Sequence, residues 1–240
     1  MGLHRAGFDL VGFDIEVQKN YPFDFVRQDA LTVDLSPFDA VWASPPCQAY
    51  SLMLNLPWNQ DKDYPTLILP TRQMLDKLGK PYIIENVMGA RRGSKALRNR
   101  NLEDHGMEAG WLCGGMFGLP FYRHRLFESN WFWMQPGHPK HRHVIRSGHL
   151  FDNNGGRLAT TVYQPRRLPD GTSQMFSVNA AIARNGAQGN GVGIDHAKGW
   201  RLAAEAMSID WMRRAELTQA IPPAYSEFLG KQLMRVLETA

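Results

Sequence analysis

The chain is nearly free of cysteine, with two thiols, Cys47 and Cys113, among 240 residues. Two cysteines can close at most one bridge. That excludes the disulfide framework of small secreted domains and suits a reducing compartment. Apolar runs are short, and none approaches the roughly 20 residues that a membrane-spanning helix needs. The opening, Met1-Gly2-Leu3-His4-Arg5-Ala6-Gly7-Phe8-Asp9, lacks the basic and apolar regions of a secretory signal. Internal repeats and low-complexity tracts are missing too. These absences lead us to expect a soluble cytoplasmic protein without membrane contact. With 43% hydrophobic residues the chain can bury one sizeable core and a small extra lobe.

The net charge of +4 is unevenly spread. Residues 1–90 hold 7 Lys/Arg against 11 Asp/Glu, residues 91–146 hold 10 against 4, and residues 147–240 hold 10 against 8. An acidic first third and a basic middle suit a protein that meets a polyanion on one face, although a solvated charged surface explains the charges equally well.

Strand and helix signals alternate through the first half. Leu10–Ile15, Phe25–Asp29, Ala40–Ala43 and Pro81–Glu85 read as short strands, and Thr66–Leu78 has apolar residues at helical spacing. This alternation predicts an α/β sheet with crossovers, whose ligands gather at the carboxyl ends of the strands. Asp14, Asp29, Cys47 and Glu85 all fall at or just past such ends. Residues 130–200 are richer in Gly, Asn, Gln, Arg and His. Asn153-Asn154-Gly155-Gly156 precedes Leu158–Tyr163 there as a hairpin turn precedes a strand, so this stretch reads as a small loop-rich β lobe. Helical character returns at Arg201–Met207, and a last helix over Ala224–Leu237 follows Pro222-Pro223.

The most informative stretch is Ala43-Ser44-Pro45-Pro46-Cys47-Gln48, a thiol on a proline-stiffened loop after an apolar strand. A free cysteine is more often inert than catalytic, so its neighbours matter. Glu85-Asn86-Val87 brings a carboxyl to the end of another strand, and Tyr122-Arg123-His124-Arg125-Leu126-Phe127 sets two arginines on one face of an extended segment. Thiol, acid and guanidinium together suit methylation of a pyrimidine carbon. A thiolate adding to cytosine C6 makes C5 nucleophilic, a proton held at N3 eases that addition, and an arginine holds the ring oxygen. The base must leave the duplex stack to reach such a pocket.

Ser44-Pro45-Pro46-Cys47-Gln48 with Tyr50-Ser51, then Glu85-Asn86-Val87, then Arg123-His124-Arg125-Leu126-Phe127, and finally Gln219-Ala220-Ile221-Pro222-Pro223-Ala224, resemble in order the signature blocks of the DNA cytosine-C5 methyltransferases. The resemblance covers residues 1–129 and about 200–240. It implies a Rossmann-like S-adenosylmethionine-dependent methyltransferase core over 1–129 and 201–240, with a target-recognition lobe over 130–200. It further implies Cys47 as nucleophile, Glu85 as the group at N3, and Arg123 and Arg125 as base-positioning arginines. For the cofactor S-adenosylmethionine it implies Asp14 at the ribose and Ile15 beside the adenine. Asp29 and Ala30 would read the adenine edge, Pro46 and Leu67 line the methionine moiety, and Gln219 and Ile221 come from the last block. From the residues alone, Asp14 and Asp29 read as ordinary strand-end turn carboxylates. The implied partner is double-stranded DNA, bound as a monomer by a nucleoid-associated, prokaryotic or viral enzyme.

The chain departs from the family pattern in three places. Met1–Phe8 resembles the helix after the family's glycine-rich cofactor turn, so the first strand and that turn are missing from these residues. Either the start was assigned to an internal Met, or the chain is a truncation completed by a second polypeptide. In both cases these residues alone are expected to hold the cofactor poorly. Phe121 stands where the family often has Gln, and Thr218-Gln219 where Gly-Asn is usual.

Other features read as decoys. Gly186, Gly189, Gly191 and Gly193 suit a loop near DNA better than a nucleotide cradle. His138, His141 and His143 have a spacing a metal could use, but with no firm fourth ligand they read as solvated or phosphate-contacting. Trp131, Phe132 and Trp133 read as core or lobe-junction aromatics. Three rivals stay open. An amino-methyltransferase would carry an aromatic where Cys47 stands, an RNA cytosine-C5 methyltransferase would share the catalytic residues, and a DNA-binding or regulatory remnant would keep the blocks without the cofactor.

Overall fold

A computed structural model describes residues 1–51, 62–119, 123–139, 163–167, 173–177, 204–217 and 219–239. The chain is α/β with mixed sheets. Among the described residues no helix is long and apolar enough to cross a membrane.

Helix α1 spans Gly2–Arg5 and is followed by the short parallel pair β1, Val11–Asp14, and β2, Asp24–Arg27. Strand β3, Val41–Ala43, leads to the Cys47 loop, and helix α2, Ile68–Leu78, carries the chain across to β4, Tyr82–Asn86. Gly79 ends α2 at φ 72°, a left-handed turn that glycine adopts without a Cβ penalty. Helix α3, Lys95–Arg98, is capped by the Ser94 hydroxyl, which accepts from the Leu97 N–H. Strands β5, Gly110–Leu112, and β6, Arg125–Ser129, complete a second sheet of order β3-β4-β6-β5. In it β3 and β4 run parallel, while β6 runs antiparallel to both β4 and β5.

Strands β7, Tyr163–Arg167, and β8, Ser173–Ser177, pair as a separate antiparallel hairpin. It lies within the stretch expected to form a β lobe, while the turn expected at Asn153–Gly156 and the strand at Leu158–Val162 lie outside the described residues. Residues 204–207 make one helical turn, α4 spans Arg214–Leu217, and the long α5 spans Pro223–Glu238 with proline at its first turn.

The core has two main parts. Tyr50, Ile68, Leu75, Tyr82, Ile84, Leu97, Met107 and Leu126 fill the side of the sheet under α2 and α3. Ile83, Leu112, Phe127, Tyr225, Leu229 and Leu233 join the other face to α5. Strand β4 is buried throughout because both its faces are covered, which is why it reads as an unbroken apolar run.

The β1–β2 pair is not hydrogen-bonded to the four-stranded sheet. Packing contacts attach it. Phe13 meets Phe38 edge to face with centroids 5.7 Å apart, and α1 packs on α5. A Cβ on Gly2 would stand 2.2 Å from the Pro223 carbonyl oxygen, so only glycine lets those helices approach this closely.

Trp131 and Trp133 pack against the α5 side of the core as expected, but Phe132 does not. It points outward at 84% exposure, because successive residues of an extended segment face opposite ways.

Candidate active site

Register explains how distant blocks meet. Ala43 pairs with Ile84, and Asn86 with Leu126, so the carboxyl ends of β3 and β4 lie beside the start of the antiparallel β6. One end of the sheet therefore carries Cys47, Glu85, Arg123 and Arg125. The Arg125 Nε lies 3.0 Å from Glu85 Oε1, both side chains 9% exposed. Arg123 is fully buried just before β6, where the sequence suggested it shared one extended segment with Arg125. Cys47 feels the charges of Arg125, Glu85 and Arg123, which places its half-buried thiol in the same cluster.

Electrostatics follow from burial. Desolvation pushes the Cys47 thiol up, Arg125 opposes it, Glu85 adds to it, and Arg123 opposes it again. Desolvation also raises Glu85 above the ordinary carboxyl range, against Arg125, Arg123 and a hydrogen bond from Ser44. Burial, then repulsion from Arg125, lowers Arg123, which stays cationic at neutral pH. The site thus favours the protonated carboxyl at Glu85 and the neutral thiol at Cys47 to higher pH than in water.

The Cys47 loop is held at three points. The Asn86 side-chain amide donates to the Pro45 carbonyl at 3.0 Å, and Arg100 Nη1 donates to the Ala49 carbonyl at 2.6 Å. Gly89 packs so closely that a Cβ there would stand 2.0 Å from the Tyr50 carbonyl oxygen. The loop then turns as a short 3-10 helix over Gln48–Tyr50, and the buried Tyr50 hydroxyl accepts from the Ile68 N–H at 3.1 Å. On the other flank, the Tyr225 hydroxyl donates to the Arg123 carbonyl at 2.6 Å. The sequence assigned no role to Asn86, Gly89, Arg100 or Tyr225. For Asn86 a signal existed, its place beside Glu85; for the others the contacts are purely tertiary.

The residues expected at the cofactor are spread more widely. Asp14 ends β1 and Ile15 follows it, while Asp29 and Ala30 lie just beyond β2, all at one end of the two-stranded sheet. Asp14 accepts from the Glu16 N–H at 2.8 Å and the Gln18 amide at 3.1 Å, and Asp29 accepts from the Leu31 N–H at 2.9 Å. Both carboxylates therefore serve local turns, as the residues alone suggested. Ile15 is 60% exposed, and Asp29 and Ala30 are exposed too. Pro46 is exposed on the Cys47 loop, while half-buried Leu67 precedes α2. Gln219 is exposed and Ile221 packs beside α5. One link draws these groups together: the Asn20 amide, between β1 and β2, donates to both Glu216 oxygens at 2.8 and 3.0 Å, just before the last block.

Phe121 and Thr218 lie outside the described residues, as do Gly186, Gly189, Gly191, Gly193, His141 and His143. His138 is described and exposed, as expected of a solvated histidine, and it also has ring neighbours. Its ring lies 4.7 Å from that of Trp111 and 5.5 Å from that of His124.

Compared with models of protein families and with curated proteins, the chain finds no match in either.

Proposed function

We propose that the protein is a DNA cytosine-C5 methyltransferase with a Rossmann-like core. The observation that carries this reading is the meeting of Cys47, Glu85, Arg123 and Arg125 at one sheet end, with Glu85 against Arg125 at 3.0 Å. An inert buried cysteine would not require a raised carboxyl and two buried arginines around it.

In this reading the flipped cytosine lies over Cys47. The thiolate adds to C6, and the electrons it supplies pass into the ring toward N3, where protonated Glu85 delivers its proton. Arg125 holds the ring oxygen, and Tyr225 fixes the backbone that carries Arg123. S-adenosylmethionine, when bound, supplies the electrophilic methyl group that C5 takes up. Water takes the C5 proton, the thiolate leaves C6 as the C5–C6 double bond re-forms, and the N3 proton returns to Glu85, which restores the aromatic ring. Asp14 and Asp29 stand at strand carboxyl ends, where a ribose and an adenine edge fit.

DNA as substrate is supported by the exposed Arg91, Arg92, Lys95 and Arg98, which follow the Glu85 block with no acid among residues 91–100. Such side chains contact phosphates and position the duplex without reading its sequence.

The test is trapping on DNA that carries 5-fluorocytosine at target sites. The chain should form a covalent adduct that needs S-adenosylmethionine, and Cys47→Ala should lose adduct and methylation while keeping salt-sensitive DNA binding. An adduct in Cys47→Ala would remove Cys47 from the mechanism. One observation favours a second reading, a DNA-binding remnant poor in cofactor capture: Asp14, Ile15, Asp29 and Ala30 lie on or just past a sheet whose strands do not pair with the catalytic one. DNA binding without any adduct would support that reading.

A further inference from the structure

A second cluster of chemistry-bearing side chains lies beside the proposed catalytic end. Cys113, His124 and His138 bring one donor atom each, a sulfur and two ring nitrogens, to within 4.8 Å of one another. Three different segments deliver them, and the fold gives each a reason to be there. Cys113 follows β5, whose Leu112 pairs with Arg125. The start of β6 therefore runs beside the end of β5, and His124 arrives next to Cys113. After β6 the chain doubles back along β5. Trp133 packs so tightly on Gly110 that a Cβ there would stand 2.4 Å from its ring, and the Trp111 N–H donates to the Gln135 side chain at 2.9 Å. That return path ends with His138 over Trp111, whose ring also lies 5.2 Å from His124.

The geometry points to a zinc site formed by Cys113, His124 and His138, which clips the arginine-bearing start of β6 to the segment leaving the catalytic domain. One thiolate and two imidazoles are a borderline-soft donor set, suited to Zn2+ rather than to Mg2+ or Ca2+, which take oxygen. Tetrahedral zinc with bonds of about 2.0–2.3 Å holds its donors roughly 3.3–3.7 Å apart. A closure of about 1 Å is therefore enough, and side-chain rotation of the exposed His138 can supply it. The Gly115 N–H already points to the Cys113 sulfur, the kind of outer hydrogen bond that steadies a metal-bound thiolate. Among the described residues three ligands converge, which leaves one tetrahedral position for water.

Charge argues on both sides. Arg123 and Arg125 flank His124 in sequence and repel a dication, but the Cys113 thiolate cancels half of the zinc charge. His124 lies between the two arginines, so fixing its ring fixes the turn that presents both of them. The assignment does not depend on the methyltransferase reading, because it concerns metal binding alone.

The experiment uses the full chain, stripped with chelator and titrated with zinc and with Co2+ as a coloured probe. Expected are one zinc per chain retained through dialysis and a cobalt spectrum with tetrahedral d–d bands plus a thiolate-to-cobalt charge-transfer band. His138→Ala, an exposed position that leaves the core untouched, should weaken zinc binding at least 100-fold. Cys113→Ser should remove the charge-transfer band. His4→Ala, remote from the cluster, should change neither. Absence of retained zinc, a cobalt spectrum without the thiolate band, or wild-type zinc affinity in His138→Ala would each overturn the site.

Discussion

Glu85 and Cys47 set opposing demands on pH. The proposed reaction needs the thiol ionised and the carboxyl protonated, and burial raises both. A raised Cys47 leaves thiolate in the minority at neutral pH, and that fraction grows as pH rises. A raised Glu85 keeps its proton to higher pH than an ordinary carboxyl and loses it on further rise. The product of the two populations climbs with pH below the lower of the two pKa values, is level between them, and falls above the higher. Glu85→Gln removes one demand. It should lower kcat roughly 100-fold and leave a pH profile that only rises, through the Cys47 ionisation. Single-turnover methylation across pH checks this, and a persistent alkaline fall in the variant would take the proton-holding role away from Glu85. Among these residues the sequence was informative about identity: Cys47, Glu85, Arg123 and Arg125 stood out because their types match one chemistry. Their burial and mutual contact were not legible there, since both depend on which strands become neighbours.

At the scale of elements, the loop after β3 and the segment after β4 act as one piece. Gly89→Ala would put a Cβ against the Tyr50 carbonyl oxygen, which is backbone and cannot swing aside. The loop carrying Cys47 must then shift. We predict a loss of about 1–3 kcal/mol in urea unfolding and a fall in adduct-forming rate of at least about 10-fold. Unchanged trapping in Gly89→Ala would mean the loop is not held where it is shown. The same segment continues into the basic stretch around α3. Arg91→Ala should weaken DNA binding about equally on any sequence and reduce the salt slope by about 1, measured by titration at several salt concentrations. A change confined to one DNA sequence would instead make Arg91 a base contact. Strands β1, β3 and β4 and helices α2 and α5 were readable from apolar spacing, glycine and proline. The return of 131–138 along β5 was not, because Trp131, Phe132 and Trp133 carry no period that tells a strand edge from a loop.

For the molecule as a whole, the decisive feature is the division into two sheets. The proposed catalytic cluster belongs to the four-stranded sheet, and four of the eight residues expected to grip the cofactor lie on or just past the two-stranded one. Phe13 on Phe38, α1 on α5, and Asn20 on Glu216 hold the two together without strand pairing between them. Ile15, Asp29 and Ala30 are exposed, so the cofactor would gain little buried area there. We predict that this chain binds S-adenosylmethionine with a Kd weaker than about 0.1 mM, close to 5.5 kcal/mol of binding free energy. Calorimetry showing micromolar binding would mean that the two sheets already form a complete cofactor site.

Residue order alone determined the alternation of strands and helices, the chemical character of the Cys47, Glu85 and Arg125 blocks, and the acidic-to-basic asymmetry. All of these follow from local spacing and residue type. Only the tertiary structure decided that β6 runs antiparallel beside β4, which delivers the arginines to the thiol, and that β5 and the return segment gather Cys113, His124 and His138. Pairing between strands far apart in sequence is settled by hydrogen-bonding edges and shared burial across the whole sheet, and no short stretch of residues records it.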